Sequence, residues 1–252
     1  GGQPAVASQS SQLEDLVTQQ VDGIIVSPLD GSAVLPALQK AKEAGVPVFL
    51  VDQPIAAGNE DLYETLIATD NVNAGRELAT YLVTAMPDPE LKVAIIEGAP
   101  GSVAGDDRLT GFMEGLASGG IEPVASATGE WDNAKALAAM ENILTAHPDL
   151  QAVLSASDVM VDGILQALAG AGKTDVAVLA IDGSTVGIQG VLDGKLLADN
   201  TQDPMAMGSM AAEFAVGMAN GEIEPGSLDK YFDSGTTTVT IENAEEAMER
   251  AF

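Results

Sequence analysis

The chain has 252 residues, of which 46% are hydrophobic, and its 38 acidic residues against 10 basic ones give a formal charge of −28 at pH 7. A field of that sign repels nucleic acid phosphates and anionic membrane surfaces, so the composition argues against both as partners. The absence of cysteine excludes disulfides and cysteine-based zinc sites. No apolar run reaches the roughly 18 residues needed to span a membrane, so direct membrane insertion is not expected.

Apolar and amphipathic segments alternate along the chain and predict a regular succession of helices and strands. The predicted helices cover residues 9–19, 32–44, 72–86, 105–118, 133–146, 159–169 and 205–219, with a further helix starting after Asp182-Gly183-Ser184 and a last one capped by Asn243 and running through the C-terminus. The predicted strands cover residues 21–26, 46–51, 65–68, 92–96, 123–127, 152–156, 176–181 and 196–201, and a β-branched run follows at 236–241. This alternation indicates βαβ units, and therefore an α/β fold with parallel sheets and right-handed crossovers.

Polar side chains follow many of the predicted strands, at the point where each strand ends. They are Ser27, Asp52-Gln53, Thr69-Asp70, Ser157-Asp158, Asp182 and Gln202. Ligands bind at this edge of open α/β sheets. Serine, threonine and aspartate also cap helices, so one such ending means little, but six together favour a polar groove over capping alone. We expect Asp182 and Gln202 to line the groove and Gln202 to mark a hinge.

Features typical of catalysis are weak in this sequence. The only histidine, His147, lies at a predicted helix end, where a cap or solvent position explains it better than a catalytic base. The glycine-rich turn GAPGSVAG lacks the GK[ST] ending of an ATP loop and the GxGxxG spacing of a dinucleotide loop. No group of residues has the spacing of a metal site. We therefore predict a protein that is not an enzyme and that uses neither a cofactor nor a metal.

Six segments occur in the order and spacing of a known family: VDGIIVSPLDGSAV, AGVPVFLVDQP, IATDNVNAG, ASDVMVDGILQAL, VAVLAIDGS and DGKLLADNTQDP. Over essentially its whole length the sequence resembles the type I periplasmic sugar-binding proteins of ABC transporters, and the ribose-binding proteins most of all. The resemblance implies two Rossmann-like α/β lobes with parallel sheets, joined by three hinge crossings near Thr69-Asp70, Gln202-Asp203 and Asp233–Gly235. The first lobe would contain residues 1–69 and 203–233, and the second residues 70–202 and 234–252.

The same resemblance implies which residues contact the ligand. Asp52 and Asp182 correspond to aspartates that bind sugar hydroxyls, and Arg108 to an arginine that donates to the ligand. Trp131 falls where the family places an aromatic ring against the sugar, and Gln202 corresponds to the hinge glutamine. Three alternatives stay open: a buried core position for Trp131, a surface ion pair with a neighbouring aspartate for Arg108, and helix capping for the two aspartates.

Three positions depart from the ribose-binding pattern. Ser27 and Ser157 stand where the ribose binder has asparagine, and Gln53 stands where it has an arginine. A site built for particular hydroxyls rejects analogues that leave its buried groups without partners. We therefore expect these three residues, together with Thr69, to contact a pentose, hexose or polyol other than ribose.

The implied function is capture of a monosaccharide or polyol between the lobes, in the periplasm or another extracytoplasmic location. The closed protein would then present the ligand to an ABC permease or a chemoreceptor. The alternative is the sugar-responsive effector domain of a LacI-type repressor, which shares the fold. A sugar-modifying enzyme on the same scaffold is a weaker possibility, because a fold does not fix function.

Members of the resembling family begin with a strand, a helix and a second strand before the helix expected here at residues 9–19. This sequence lacks that unit, and a lobe without its central strand would leave strand edges without partners. We expect either that the sequence is part of a longer chain or that a second copy fills the gap.

Overall fold

The structure, a computed structural model, describes residues 3–252. Its helices are α1 (Gln3–Gln19), α2 (Leu35–Glu43), α3 (Asn71–Ala85), α4 (Val103–Ser118), α5 (Asn133–Ala146), α6 (Val161–Gly170), α7 (Thr185–Leu192), α8 (Pro204–Ala219) and α9 (Ala244–Met248), with 3-10 helices at Glu60–Leu62 and Asp158–Met160. Its strands are β1 (Ile24–Val26), β2 (Val48–Val51), β3 (Thr65–Ala68), β4 (Val93–Glu97), β5 (Ala125–Thr128), β6 (Ala152–Ser155), β7 (Ala177–Asp182), β8 (Ala198–Thr201), β9 (Tyr231–Asp233) and β10 (Thr238–Val239).

The chain divides into two compact units. Unit 1 contains the chain up to Thr69 together with Asp203–Ser234, and unit 2 contains Asp70–Gln202 together with Gly235–Phe252. The boundaries fall one residue after β3, directly after Gln202 and one residue after β9. Each unit has its own sheet and its own buried apolar core, as expected of a chain that can form two domains of medium size.

Unit 1 is built on a four-stranded parallel sheet in the order β1-β2-β3-β9. Two apolar clusters cover this sheet. Leu13 of α1 and Leu38 of α2 pack in one cluster with Leu50, while Met207 of α8 packs in the other with Phe49. Since neighbouring residues of β2 enter different clusters, both faces of the sheet are covered by helices, which is the usual arrangement for parallel strands.

Unit 2 is built on a six-stranded sheet in the order β10-β8-β7-β6-β4-β5, in which only the β10–β8 pairing is antiparallel. Strand β7 lies inside this sheet and is buried from Val178 to Asp182. Its continuous apolar run suits a strand that is covered on both faces. One large core joins the sheet to the helices, with α3 against α4 and α5 against α6 as the main helix pairs.

Capping residues begin most of the helices that follow strands. The side chains of Asp70, Ser102, Asp132, Ser184 and Asp203 each accept a hydrogen bond from the backbone N–H three residues further on, at the starts of α3, α4, α5, α7 and α8 respectively. Such caps satisfy N–H groups that have no partner within the helix. They fix where each helix starts, and therefore the length of the loop between strand and helix.

The elements follow the predicted order, with some differences. Strand β9 was not predicted, because its three residues carry no alternating pattern and its partner β3 is far away in sequence. The β-branched run at 236–241 pairs only at Thr238–Val239. Asn243 occupies the N-cap position of α9, as predicted, but its side chain makes no capping hydrogen bond and instead accepts from the Thr240 N–H and donates to the Thr238 carbonyl. The expectation that this helix reaches the C-terminus was also wrong, since it ends at Met248.

No described helix is both long and apolar enough to cross a membrane. No described group of three or more histidine, cysteine, aspartate or glutamate side chains has an arrangement that would hold a metal ion.

Candidate functional site

The carboxyl ends of three neighbouring strands bring the candidate residues of unit 2 together. Strand β7 lies between β6 and β8. Asp182 is the last residue of β7, Gln202 follows β8 directly, and Ser157 lies just beyond the end of β6. Because parallel strands end at the same edge, side chains distant in sequence meet there, as the sequence pattern predicted.

Asp182 is the centre of this edge. Its Oδ1 accepts hydrogen bonds from Nη1 of Arg108 at 2.9 Å and from Nε2 of Gln202 at 2.7 Å. Its Oδ2 accepts from Oγ of Ser157 at 2.5 Å and from the backbone N–H of Asp158 at 3.2 Å. A carboxylate has about four lone-pair positions. Protein donors therefore fill the whole accepting capacity of Asp182, and helix capping is not its role, because Ser184 caps α7.

Arg108 is a buried cation on α4, with only 4% of its surface exposed. Its Nε donates to Oδ1 of Asn71 at 2.8 Å, and its Nη1 donates to the Ala156 carbonyl at 2.6 Å as well as to Asp182. A buried charge is costly unless it is paired and hydrogen-bonded, and Asp182 supplies the opposite charge. The alternative of a surface ion pair on α4 was therefore wrong. Within the described residues these bonds engage Nε and Nη1 and leave the two N–H groups of Nη2 for another acceptor.

Trp131 lies in the loop between β5 and α5, next to Arg108. Glu130 and Trp131 both have left-handed backbone conformations, with φ of 53° and 55°, which non-glycine residues adopt at some cost. The indole packs so closely on Gly98 that a Cβ there would lie 2.1 Å from Cζ2 of the ring. The guanidinium carbon of Arg108 lies 5.9 Å from the ring centroid, within cation–π range. The ring is partly buried and also touches the core, so its contact with a ligand stays a prediction.

Unit 1 presents its candidate residues in the same way. Ser27 follows β1, Asp52 and Gln53 follow β2, and Thr69 follows β3, so all four lie at the carboxyl edge of neighbouring strands. Asp52 has a left-handed backbone, with φ of 65°, and its Oδ2 accepts a hydrogen bond from Nε2 of Gln53 at 3.1 Å. It begins none of the described helices, so capping does not explain it. The roles of these four residues in ligand binding stay predictions.

Two buried acids lie beside the unit 2 edge: Asp158, which was predicted only as one of the polar strand ends, and Asp199, which was not predicted. Asp158 is 3% exposed, and burial together with the charge of Asp182 raises its pKa to about 6. Asp199 on β8 is fully buried, and burial, followed by the charges of Asp158 and Asp182, raises its pKa well above the ordinary value. A signal was present in the sequence for Asp158, which follows Ser157 at a strand end, whereas Asp199 simply lies within the strand predicted at 196–201.

Comparisons with known proteins agree with this architecture. A family model described as "Periplasmic binding protein domain" matches residues 1–223. The ribose import binding protein of Bacillus subtilis (strain 168) is 36% identical over 216 residues, which cover 86% of this chain and 69% of that protein. The D-allose-binding periplasmic protein of Escherichia coli (strain K12) is 32% identical over 233 residues, which cover 88% and 73%.

A solved structure is similar over almost the same length. The ABC transporter periplasmic solute-binding protein of Actinobacillus succinogenes, crystallised with bound D-allose, superposes with a TM-score of 0.87 at 30% identity, covering 96% of this chain and 86% of that chain. The two α/β units, the polar strand ends and the family match lead to one conclusion. The chain belongs to the periplasmic binding protein family, and the members similar to it are sugar-binding proteins of ABC importers.

Proposed function

We propose that this chain is a solute-binding protein that captures a monosaccharide or polyol and delivers it to an ABC importer without chemically changing it. The proposal rests on the buried Arg108, whose Nη2 group has hydrogens left to donate at the carboxyl edge of unit 2. A sugar offers ring and hydroxyl oxygens that accept such hydrogen bonds, and a charged donor makes them stronger than neutral ones. The relatives named above are binding proteins, and none of them lends support to the repressor alternative.

The proposed ligand contacts come from both units. In unit 2, Arg108 donates to the ligand, Trp131 covers an apolar ring face, and Asp182 with Gln202 and Ser157 holds Arg108 in place and takes part in binding. The proposed contacts of unit 1 are Ser27, Asp52, Gln53 and Thr69. Carboxylates and amides accept from hydroxyls, whereas arginine only donates, so this set suits a neutral polyhydroxylated ligand.

The ligand differs from ribose in this proposal. The short side chains of Ser27 and Ser157 replace longer amides of the ribose binder, and the hydroxyl of Ser157 is already engaged with Asp182. Similar solved structures carry bound D-allose, D-fucose, myo-inositol and glycerol. A panel of pentoses, hexoses and polyols is therefore the right search space.

Delivery requires a membrane protein that the chain can reach from the extracytoplasmic side. In this proposal the chain acts in the periplasm or an equivalent extracytoplasmic space, where it docks to the permease of an ABC importer. A chemoreceptor is a second docking partner. Binding energy from several hydrogen bonds, each worth roughly 0.5–3 kcal/mol net, would stabilise a ligand-bound conformation over the ligand-free one. The permease would recognise that ligand-bound conformation.

A thermal-shift screen over D-ribose, D-allose, D-fucose, L-arabinose, myo-inositol and glycerol tests the proposal. A ligand present at about 100 times its Kd stabilises the folded protein by about 2.7 kcal/mol, so a true ligand raises the Tm clearly. Arg108→Lys should weaken the shift because the planar fork of donors is lost, and Asp182→Ala should abolish it. Arg76→Lys, at an exposed ion pair with Glu114, is the matched control and should leave the shift unchanged.

Two results would count against the proposal. If calorimetry finds no binding of any sugar or polyol in the panel at millimolar concentration, the ligand class is wrong. If a sugar binds but Arg108→Lys and Arg76→Lys both retain full affinity, the ligand class stands and Arg108 is not a contact.

A further inference from the structure

Two buried carboxyl groups of unit 2 face each other beneath the candidate site. Asp199 on β8 is 0% exposed, and Asp158 in the 3-10 helix is 3% exposed. Gly187, in the first turn of α7, shows how close they are. A Cβ at that position would lie 2.2 Å from Oδ2 of Asp199 and 2.3 Å from Oδ2 of Asp158. Both oxygens therefore converge on one point, and Gly187 has no side chain to fill it.

The hydrogen bonds around this pair are incomplete. Oδ2 of Asp158 accepts from the backbone N–H of Ser184 at 2.9 Å and from its Oγ at 2.7 Å. Oδ1 of Asp158 and both oxygens of Asp199 are buried without a hydrogen bond to any described residue. A buried carboxylate without donors is strongly disfavoured. One proton placed between the two groups supplies the missing donor and removes one of the two charges.

We propose that Asp199 is a neutral carboxylic acid at pH 7, that its proton is shared with Asp158, and that this shared proton positions the ligand-binding edge around Asp182. The part of the inference that concerns ligand binding rests on the proposed function. The existence of the shared proton does not depend on it.

Two sets of hydrogen bonds, which together form a reciprocal clamp, connect the buried pair to the site. The side chain of Asp158 holds Ser184, which follows Asp182 in the turn between β7 and α7. In return, the side chain of Asp182 accepts from Ser157 and from the backbone N–H of Asp158. A negative charge on Asp199 would repel both Asp158 and Asp182 and weaken this clamp. A proton on Asp199 removes that repulsion and holds Asp158 by a hydrogen bond, which makes Asp199 a positioning residue.

The charged groups facing the pair are few. Asp182 on β7 adds negative charge, and Arg108 on α4 adds the positive charge that acts on Asp158. Helix α7 and strand β10, which also lie against β8, contain no titratable residue within Thr185–Leu192 and Thr238–Val239. Glu77 of α3 binds the neighbouring Asn200. Burial is the main cause that raises the pKa of Asp199. The N–H of Gly183 is near enough to lower this pKa in part, although it forms no hydrogen bond of ordinary length with either oxygen of Asp199.

Asp199→Asn is the decisive variant, because an amide keeps the size of the neutral acid and can donate to Asp158 but cannot titrate. Infrared difference spectra at pH 7 should show the carbonyl band of a protonated carboxylic acid in the wild-type protein, and this band should be missing in Asp199→Asn. Asp149→Asn, at an exposed aspartate, is the control that should keep the band. A wild-type spectrum without a protonated carboxyl band would overturn the inference, whatever the ligand-binding result.

The pH dependence of unfolding gives a second, independent readout. The unfolded chain loses the Asp199 proton near pH 3.8, whereas the folded protein keeps it, so the stabilisation is fully present below that pH and is lost as the pH rises towards the folded pKa. In this window the unfolding equilibrium constant of the wild type should rise relative to that of Asp199→Asn by about tenfold per pH unit. Parallel pH profiles of the two proteins would overturn the inference.

Ligand affinity tests whether Asp199 positions the site, which is a separate question from whether Asp199 is protonated. For a sugar that the wild type binds, Asp199→Asn should keep the Kd within about twofold, whereas Asp199→Leu, which removes the donor, should weaken binding at least tenfold. If both variants bind as tightly as the wild type, Asp199 does not position the site. If no sugar binds to the wild type, the proposed function fails, while the infrared and pH results still decide whether the proton is there.

Discussion

Replacing Arg108 by methionine removes the positive charge that compensates Asp182 in a buried ion pair. Methionine keeps an unbranched apolar stem of similar shape, so the change mainly deletes the guanidinium. The ion pair has an N–O distance of 2.9 Å, and only 5% and 13% of the two side chains are exposed. At an effective dielectric constant of about 20, charges at that distance attract each other by about 6 kcal/mol. This attraction offsets the cost of burying both groups.

The expected loss is about 3–5 kcal/mol in the free energy of unfolding of unit 2, the range found when one partner of a buried pair is removed. Gln202, Ser157 and the Asp158 N–H still donate to Asp182 and keep the loss within this range. Adding Asp182→Asn to Arg108→Met removes the uncompensated charge. The double variant should therefore be more stable than the sum of the single effects predicts, by about 1–3 kcal/mol.

Urea unfolding followed by tryptophan fluorescence measures these differences, because the single tryptophan, Trp131, lies in unit 2 and reports on that unit. Arg76→Met is the matched control. Its ion pair with Glu114 is 44% and 49% exposed, and such a pair contributes about 1 kcal/mol at most. Equal losses for Arg108→Met and Arg76→Met, or strictly additive effects with Asp182→Asn, would refute the reasoning that Arg108 and Asp182 form a coupled buried pair.

Three further predictions follow from close contacts and burial. Gly98→Ala places a Cβ 2.1 Å from the indole of Trp131 and should lower the free energy of unfolding by about 1–3 kcal/mol. It should also shift the fluorescence emission of Trp131 to longer wavelength, and unchanged emission would contradict the close packing. Gly187→Ala should lower the Tm, whereas Gly208→Ala, with open space around its Cβ in a helix, should raise the free energy of unfolding by about 0.4–1 kcal/mol. Burial raises the pKa of Asp158 from 3.8 to about 6, so the stability of the wild type falls as the pH rises between these values. Across that window the free energy of unfolding of Asp158→Asn should gain about 3 kcal/mol relative to the wild type. Identical profiles of the urea midpoint from pH 4 to 6 would argue against this prediction.

The sequence was sufficient to predict the fold class and the strand edge at which the candidate residues of unit 2 meet. Apolar runs bounded by polar residues mark parallel strands, and parallel strands end at one edge, so Ser157, Asp182 and Gln202 had to lie near each other once the strand order was β6-β7-β8. The resemblance to sugar-binding proteins added Arg108, which has no local signature of its own on α4.

The direction of each hydrogen bond was not predictable from the sequence. It depends on side-chain conformations and on burial, which arise only when distant elements pack. Arg108 meets Asp182 because α4 packs on the sheet, and nothing near residue 108 in the sequence indicates this. Asp199 was missed for a related reason. An aspartate in a strand normally points to solvent, and only the position of β8 inside the sheet shows that it is buried.

The hydrogen bonds around Asp182 determine how unit 2 can recognise a ligand. All four accepting positions of this carboxylate are filled by protein donors, so a ligand hydroxyl can donate to it only by displacing Ser157, Gln202, Arg108 or the Asp158 amide. The Nη2 hydrogens of Arg108 need no such displacement. If unit 2 binds a ligand as proposed, we expect it to favour ligand oxygens that accept from Arg108. The groups that hold the Asp182 side chain set where the guanidinium points. Since Asp158 ties these groups to the turn after β7, we expect the charge state of the buried acids to change ligand affinity through the position of Arg108.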